Sequence, residues 1–357
     1  MFYCLYLFGD TEITKHADVI EIPSFYPRRE YIKHNITIIS LMNTDNFEDY
    51  LLPIDTMKCY SIYHSYNHHV FNIYNYPDLL KNCTQRDFMY QRHCFLANYM
   101  KLYINPNEYV VFVDADMGII NYNHLLEKYL PSGKEEILFY HRLFNFEIAC
   151  GSYIVKNTKY SRDFLNEFAN YDFRHPNSFD GSDNVGLHYF LSTLVKHKLK
   201  DINDTCFKVW NSSTNWGDTW NVVGCFQQII HSDLPNKHNL ISTFTLDNGK
   251  IAFIGKYEER RWVRDVTLAG KYWSFNDFML HGLKMSKMNK KVYLGWASPI
   301  MYDKFNLTLC KELDFYKNWK FKIGQIGSKQ FVKKELQNLI ESVEENRNER
   351  LRRMSLL

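Results

Sequence analysis

No stretch of the sequence approaches the roughly 18 consecutive apolar residues of a transmembrane helix, so no membrane span is expected. Charge of one sign is also missing. Lys and Arg number 43 against 40 Asp and Glu, and a net charge of +3 does not single out a nucleic-acid partner. The eight cysteines (Cys4, Cys59, Cys83, Cys94, Cys150, Cys206, Cys225, Cys310) are scattered and contain no Cys-x-x-Cys step. That argues against a zinc ribbon, while the even number permits disulfides without choosing the pairs. Repeats and low-complexity tracts are absent. The apolar run at residues 2–8 lacks a basic leader and is a poor signal peptide; it reads as a first strand or the remnant of a longer precursor.

At 357 residues the chain can bury a large core, as one big domain or two modest ones. Aromatic residues make up 17%, and their faces suit the apolar faces of sugars, although such residues fill cores more often than they line sites. Sequons at Asn35, Asn82, Asn203, Asn211 and Asn306 slightly exceed chance and lend weak support to a secretory route.

The first 130 residues alternate strand and helix signals. Residues 36–41 form a β-branched run ending in a polar loop, a helix is expected over 47–64, and 70–74 alternate with period two. Thr84 and Asp87 resemble a capping box opening a helix in which Phe88, Phe95, Tyr99 and Leu102 repeat at helical spacing. A strand at 109–113 and a short helix near 125–130 follow. Short links between such elements imply crossover units and a parallel sheet. Further on, strands are expected at 136–140 and 150–155, helices at 160–171 and 185–195, and a loop at 172–183. Residues 201–280 have weak periodicity and predict short strands and long loops. Residues 331–357 predict a charged helix whose basic end, Arg347 to Arg353, complements the helix dipole.

The most informative step is Tyr109-Val110-Val111-Phe112-Val113 followed by Asp114-Ala115-Asp116. Five apolar residues in a row fit a strand buried on both faces. Carboxylates at its end are costly unless something positive joins them, and the carboxyl ends of strands are where α/β sheets bind ligands. Two acids one residue apart can hold a hard divalent cation, and the cation a diphosphate. A metal–nucleotide site is therefore expected. A rival is the phosphatase-type motif with a nucleophilic first Asp. It calls for Thr or Val where this chain has Gly118, and it normally opens its domain.

With that step in place, the chain resembles glycosyltransferases of the GT-A type, in particular an uncharacterised family expanded in nematodes. More distantly it is similar to the retaining Golgi galactosyltransferases of fungi and xylosyltransferases of plants. The resemblance rests on residues 92–126, 151–166 and 179–184, with Phe278-Met279-Leu280-His281-Gly282 as a fourth stretch. It implies a Rossmann-like α/β fold: a mixed, mostly parallel sheet flanked by helices in one large domain over residues 1–330. The nucleotide and metal half would run to about residue 130 and the acceptor half from 131, followed by the helix at 331–357.

The resemblance also implies roles. Asp114 and Asp116 would bind Mn²⁺ or Mg²⁺, with His281 as third ligand; the competing reading of His281 is a satisfied core or surface histidine. Asp183 and Asn184 match an Asp-Gln pair facing the reacting sugar, with Asp180 as a neighbour able to take the same part; either acid could instead cap the following helix. Gly151 and Ser152 would let the backbone approach the donor sugar, or simply end a strand. Arg92 would face the diphosphate or form a structural salt bridge. Leu41, Asn43 and Thr44 would line the base pocket by the switch-point rule. The implied activity is metal-dependent transfer of a hexose or pentose from a nucleotide sugar, UDP favoured, to a glycan or glycoconjugate hydroxyl, with retention, in the Golgi or ER lumen. A carbohydrate- or nucleotide-binding protein that kept the fold and lost turnover is the competing expectation.

Overall fold

The computed structural model describes residues 14–16, 19–21, 35–195, 200–232, 242–288, 297–301 and 305–356. The strand expected at 2–8, and Cys4 within it, lie outside the described residues. The chain begins with strands β1 (Thr14–His16), β2 (Val19–Glu21) and β3 (Ile36–Met42), then helix α1 (Leu51–His64), β4 (Asn67–Asn72), and helices α2 (Pro77–Leu80) and α3 (Phe88–Tyr103). Next come β5 (Tyr109–Val113), β6 (Met117–Ile119), β7 (Ile137–Tyr140) and β8 (Ser152–Lys156). Helices α4 (Lys159–Ala169), α5 (Ser182–Thr193), α6 (Lys200–Asn211) and α7 (Trp216–Ser232) follow in a block. The last part holds β9 (Phe244–Leu246), β10 (Ile251–Ile254), β11 (Val263–Asp265), β12 (Met279–His281), β13 (Ile300–Met301), β14 (Lys320–Lys322) and α8 (Lys329–Arg353).

Seven strands in the order β4-β3-β5-β8-β7-β10-β9 form the central sheet. Five of them (β4, β3, β5, β7 and β10) run one way, while β8 and β9 pair antiparallel to their neighbours. This is the expected single α/β domain with a mixed, mostly parallel sheet and a C-terminal helix. β5 sits inside the sheet with Val110 and Phe112 in one core and Val111 and Val113 in the other. An apolar residue at every position is what a strand buried on both faces requires. A smaller sheet, β11-β12-β6, stands at the carboxyl end of β5.

Several expectations need correction. The strand foreseen at 70–74 ends at Asn72, whose side chain accepts from the Tyr74 N–H and starts a 3-10 turn. Asp87, rather than Thr84, caps α3 by accepting from the Met89 N–H, and Leu102 is exposed instead of joining the apolar stripe. The helix foreseen near 125–130 is a single 3-10 turn at Leu126–Tyr129. The largest departure lies in 201–280, where α6 and α7 replace the expected loops. Val222, Val223, Phe226 and Ile229 in α7 have helical spacing and are buried against Cys206 and Trp210 of α6, while Ile230 turns into the core of the central sheet. A Cys206–Cys225 disulfide ties the two helices. Two more disulfides, Cys59–Cys310 and Cys83–Cys94, leave Cys150 as the free cysteine among the described residues. No helix of the described residues is long and apolar enough to cross a membrane.

Burial draws His93 and His188 down to about 4, with both rings fully enclosed. Unfolded histidine titrates near 6.5. Between pH 6.5 and 4 the unfolded chain therefore binds protons that the fold refuses, and stability falls as pH falls. Each ring adds a slope of up to about 1.4 kcal/mol per pH unit. Urea unfolding at pH 7, 6 and 5 should show a steady drop of the midpoint; a flat midpoint would contradict neutral burial of these rings.

Candidate metal and donor site

β5 ends where the Asp114 N–H donates to the Gly151 carbonyl at 2.7 Å, and the Met117 N–H closes back on the Asp114 carbonyl at 2.9 Å. This turn sets Asp114 and Asp116 at the rim. The Asp116 carbonyl accepts from the Gly282 and Leu283 N–H groups at 3.1 and 2.9 Å. Antiparallel pairing of β6 with β12 puts His281 opposite Met117, and parallel pairing of β11 with β12 puts Asp265 beside His281. Gly282 has φ +105, a conformation that favours glycine, and a Cβ there would come within 2.9 Å of Val266.

One ligand atom from each of Asp114, Asp116 and His281 lies within 4.8 Å of the other two. His281 Nε2 is 3.3 Å from Asp116 Oδ1, and its Nδ1 is 2.7 Å from Asp265 Oδ1. Asp265 is held in turn by Arg142 at 2.5 Å, which also reaches Glu147 at 3.2 Å. The three side chains are each about a fifth exposed (19%, 17% and 21%), so the cluster is open enough to admit an ion. Two carboxylates and an imidazole fit a divalent cation such as Mn²⁺ or Mg²⁺. A carboxylate on the far nitrogen of a ligating histidine is the usual orienting device. Gly151 belongs to the same construction, since a Cβ there would collide with the Asp114 Oδ2 oxygen.

Burial opposes the His281 charge, but Asp116 and Asp265 prevail and push its pKa up to about 10. Burial likewise raises Asp114, helped by Asp116, more than Arg92 lowers it. Asp116 stays below its ordinary value because His281, Lys284 and Lys287 outweigh burial. Lys284 was not foreseen, although it follows His281 by three residues. Its ammonium lies over the Tyr50 ring at 4.8 Å. The next residues are pinned by Asp49, which takes the Met285 N–H at 2.8 Å and the Ser286 hydroxyl at 2.6 Å.

Arg92 joins Asp114 to Asp183, with Nη1 at 2.5 Å and Nη2 at 2.6 Å. His93 Nε2 sits 3.2 Å from the same Asp183 oxygen, and its Nδ1 meets the Tyr153 hydroxyl at 2.9 Å. The carboxylate can only accept, so Nε2 carries the proton and Nδ1 accepts from Tyr153. Against burial, Arg92 and His93 hold Asp183 below its usual range. Its second oxygen, Oδ1, is buried without a hydrogen-bond partner. Asp183 is not a helix cap. α5 begins at Ser182 after Gly181, which has φ +71, and Asp183 lies in the first turn.

The other expected site residues are more dispersed. Asn184 Oδ1 accepts from the Cys150 N–H at 3.1 Å. Asp180 Oδ1 accepts from the Ser182 N–H at 3.0 Å, which shapes the turn into α5. Ser152 does not face the cluster: its hydroxyl is buried and accepts from the Trp262 indole at 2.8 Å. Leu41 is packed in the core, so its side chain cannot line a base pocket. Asn43 is exposed and Thr44 half-buried beyond the carboxyl end of β3, the sheet edge that β5 shares.

The family model described as "Protein of unknown function, DUF273" matches residues 57–294. No curated protein matches the sequence. Among solved structures, a glycosyltransferase involved in the glycosylation of the major capsid of PBCV-1 is similar at 12% identity and a TM-score of 0.31. The likeness covers 38% of this chain and 66%, just under two thirds, of that one. So slight a likeness leaves the function to be read from the site.

Replacing Gly151 by Ala should drive the Asp114 carboxylate out of the cluster and weaken Mn²⁺ binding by roughly tenfold or more, the usual effect of disturbing a ligand's support. Isothermal titration of Gly151→Ala with Mn²⁺ reads this directly; wild-type affinity would remove Asp114 from the ligand set.

Proposed function

We propose that this chain, which belongs to the DUF273 family, is a metal-dependent glycosyltransferase using a nucleoside diphosphate sugar, UDP-linked in first place, and a hydroxyl acceptor on a glycan or glycoconjugate. The observation that carries the reading is the convergence of Asp114, Asp116 and His281 at the carboxyl edge of a buried strand. When bound, a divalent cation supplies Lewis acidity toward a departing diphosphate, on the order of several kcal/mol in the transition state. Asp114, Asp116 and His281 would hold it, and Asp265 would orient the His281 ring. Lys284 would add a positive charge for the phosphates and Arg92 would keep Asp114 in place. Asp183, ionised and with one oxygen unsatisfied, would face the donor sugar, with Asn184 and Asp180 nearby and Gly151 leaving room. Asn43 and Thr44 would meet the base. Transfer of a hexose or pentose with retention follows the GT-A resemblance.

On this reading the nucleotide and metal half extends to about residue 130 and the acceptor half from 131 to 330, with His281 reaching back to complete the metal site. Three disulfides suit an oxidising compartment. Together with exposed sequon asparagines at 35, 82, 211 and 306, they support a Golgi or ER lumen.

Titration with Mn²⁺ and UDP should show linked binding that Asp116→Asn weakens by at least roughly tenfold; metal-dependent UDP affinity unchanged in that variant would sink the assignment. Hydrolysis of a panel of UDP- and GDP-sugars with Mn²⁺ separates an enzyme from a binding protein, which would bind and not turn over.

Asp183→Asn should slow turnover by roughly 10²-fold, as loss of a preorganised charge does, while Mn²⁺-dependent UDP affinity stays within a few-fold. Near-normal turnover would make Asp183 purely structural.

A further inference from the structure

Away from the metal cluster, a cavity of about 210 Å³ lies between α8 and the segment from Lys256 to Arg264. Its apolar wall includes Trp262, Phe278 and Ile340, all buried. Six cations line it against three acids, Glu258, Glu259 and Asp277. Most of the cations are already matched. Arg264 is held by both Asp277 oxygens at 2.7 and 3.0 Å. Lys256 meets Glu344 at 2.7 Å and the Asn145 carbonyl at 2.8 Å, while Lys329 and Lys333 share Glu259 at 3.6 and 3.3 Å.

Arg261 differs. Its half-buried guanidinium makes one hydrogen bond, from Nη1 to the Lys256 carbonyl at 2.8 Å, and no carboxylate among the described residues is in ion-pair contact with it. Four of its five N–H donors stay unused. Lys128 contributes a second cation without a carboxylate partner; its ammonium lies 5.7 Å from the Tyr129 ring centre. Glu258 lines the cavity as an exposed side chain. Burial, reinforced by Arg264, draws the Arg261 guanidinium down to about 10 in spite of Asp277, as expected of a charge that lacks its counter-ion. A cation drawn partly out of water and left unpaired is destabilising, so the arrangement makes sense when a ligand supplies the negative charge.

We infer that this cavity is a binding site for the oxyanion of a small ligand, a sulfate, phosphate or carboxylate, gripped by the Arg261 fork with Lys128 beside it. A planar guanidinium matches such groups with two parallel hydrogen bonds. The site stands on its own residues, independent of the activity proposed above. It is nevertheless close to the metal cluster. Val263 and Met279, which line the cavity, are register partners in β11 and β12, and two residues further the same strands carry Asp265 and His281. At about 3.3 Å per residue that separation is about 7 Å along the strands.

The test uses the full chain without metal, titrated with sodium sulfate, inorganic phosphate and glucuronate, against sodium chloride of matched ionic strength and glucose. A saturable rise in Tm with at least one oxyanion is expected, and the three arms identify its chemistry. Arg261→Gln should abolish the rise and, without ligand, unfold no lower than wild type, because an unpaired charge has been removed. Gln337→Glu, which sets a carboxylate in the half-exposed wall formed by α8, should weaken binding by roughly tenfold through like-charge repulsion. No saturable rise with any oxyanion, or a rise that survives in Arg261→Gln, overturns the inference. So does a rise lost only in Lys284→Gln, which would put the anion beside the metal cluster. If Arg261→Gln fails to fold, undiminished affinity in Gln337→Glu overturns it equally.

Discussion

The Arg92 guanidinium is the contact on which the site depends. It is buried, reaches Asp114 with one nitrogen and Asp183 with the other, and lies 5.2 Å from the Phe112 ring centre. Three elements meet in those contacts: α3 supplies the cation, the end of β5 one acid, and the first turn of α5 the other. Removing one partner of a buried pair leaves an uncompensated charge, which is worth about 3–5 kcal/mol. The surroundings enforce the geometry. The Tyr90 hydroxyl donates to the Ser182 carbonyl at 3.0 Å, and Gly186 in α5 leaves no room for a Cβ against that tyrosine. α3 and α5 are therefore held close, and Arg92 can span both carboxylates.

Charge balance around the rim follows from the same arrangement. Asp114, Asp116, Asp183 and Asp265 bring four carboxylates into a small region, faced by Arg92, Arg142 and a His281 imidazolium. The extra proton on His281 gives one positive charge that Asp116 and Asp265 share, and Arg142 supplies a second to Asp265. A dication held there would take the place of that proton, because a ligating imidazole must be neutral. Asp265 would then keep its hydrogen bond to Nδ1 and the ring its orientation. The three ligand atoms already lie within 4.8 Å of one another, the closeness that a preorganised cation site requires.

How much of this was legible in the sequence depended on whether the signal was local. Asp114 and Asp116 were readable because a strand with no polar residue, stopped by two acids, is informative within eight residues. His281 came only through resemblance, since its role depends on the β6–β12 register formed across more than 150 residues. Asp265 and His93 escaped for the same reason: each acts through a partner distant in sequence, and a lone Asp or His carries no signature. Asp183 was open to a capping role because helix starts are uncertain by a few residues, and moving the start of α5 to Ser182 turned a candidate cap into an inward-facing acid. α6 and α7 were missed although their apolar spacing is helical, because the Trp, Asn, Asp and Gly around them weakened the pattern.

The C-terminal part of the chain bears on the site more than its distance in sequence implies. β6 is only three residues long, and its pairing with β12 decides whether His281 can reach Asp116. That strand is supported from behind. The buried Trp319 indole donates to the Ile119 carbonyl at 3.0 Å, and Thr56 of α1 takes the Ile119 N–H at 3.0 Å. The Cys59–Cys310 disulfide fastens the same C-terminal region to α1. Gly118 lets Pro53, Thr56 and Leu283 close on β6 within 2.9 Å of where a Cβ would stand. A short strand with few ladder bonds of its own gains from such support, so residues 305–322 buttress β6 by way of Trp319 and the Cys59–Cys310 link. The site is assembled from a rim that β5 defines, a histidine that β12 delivers, and a C-terminal segment that keeps the two in register.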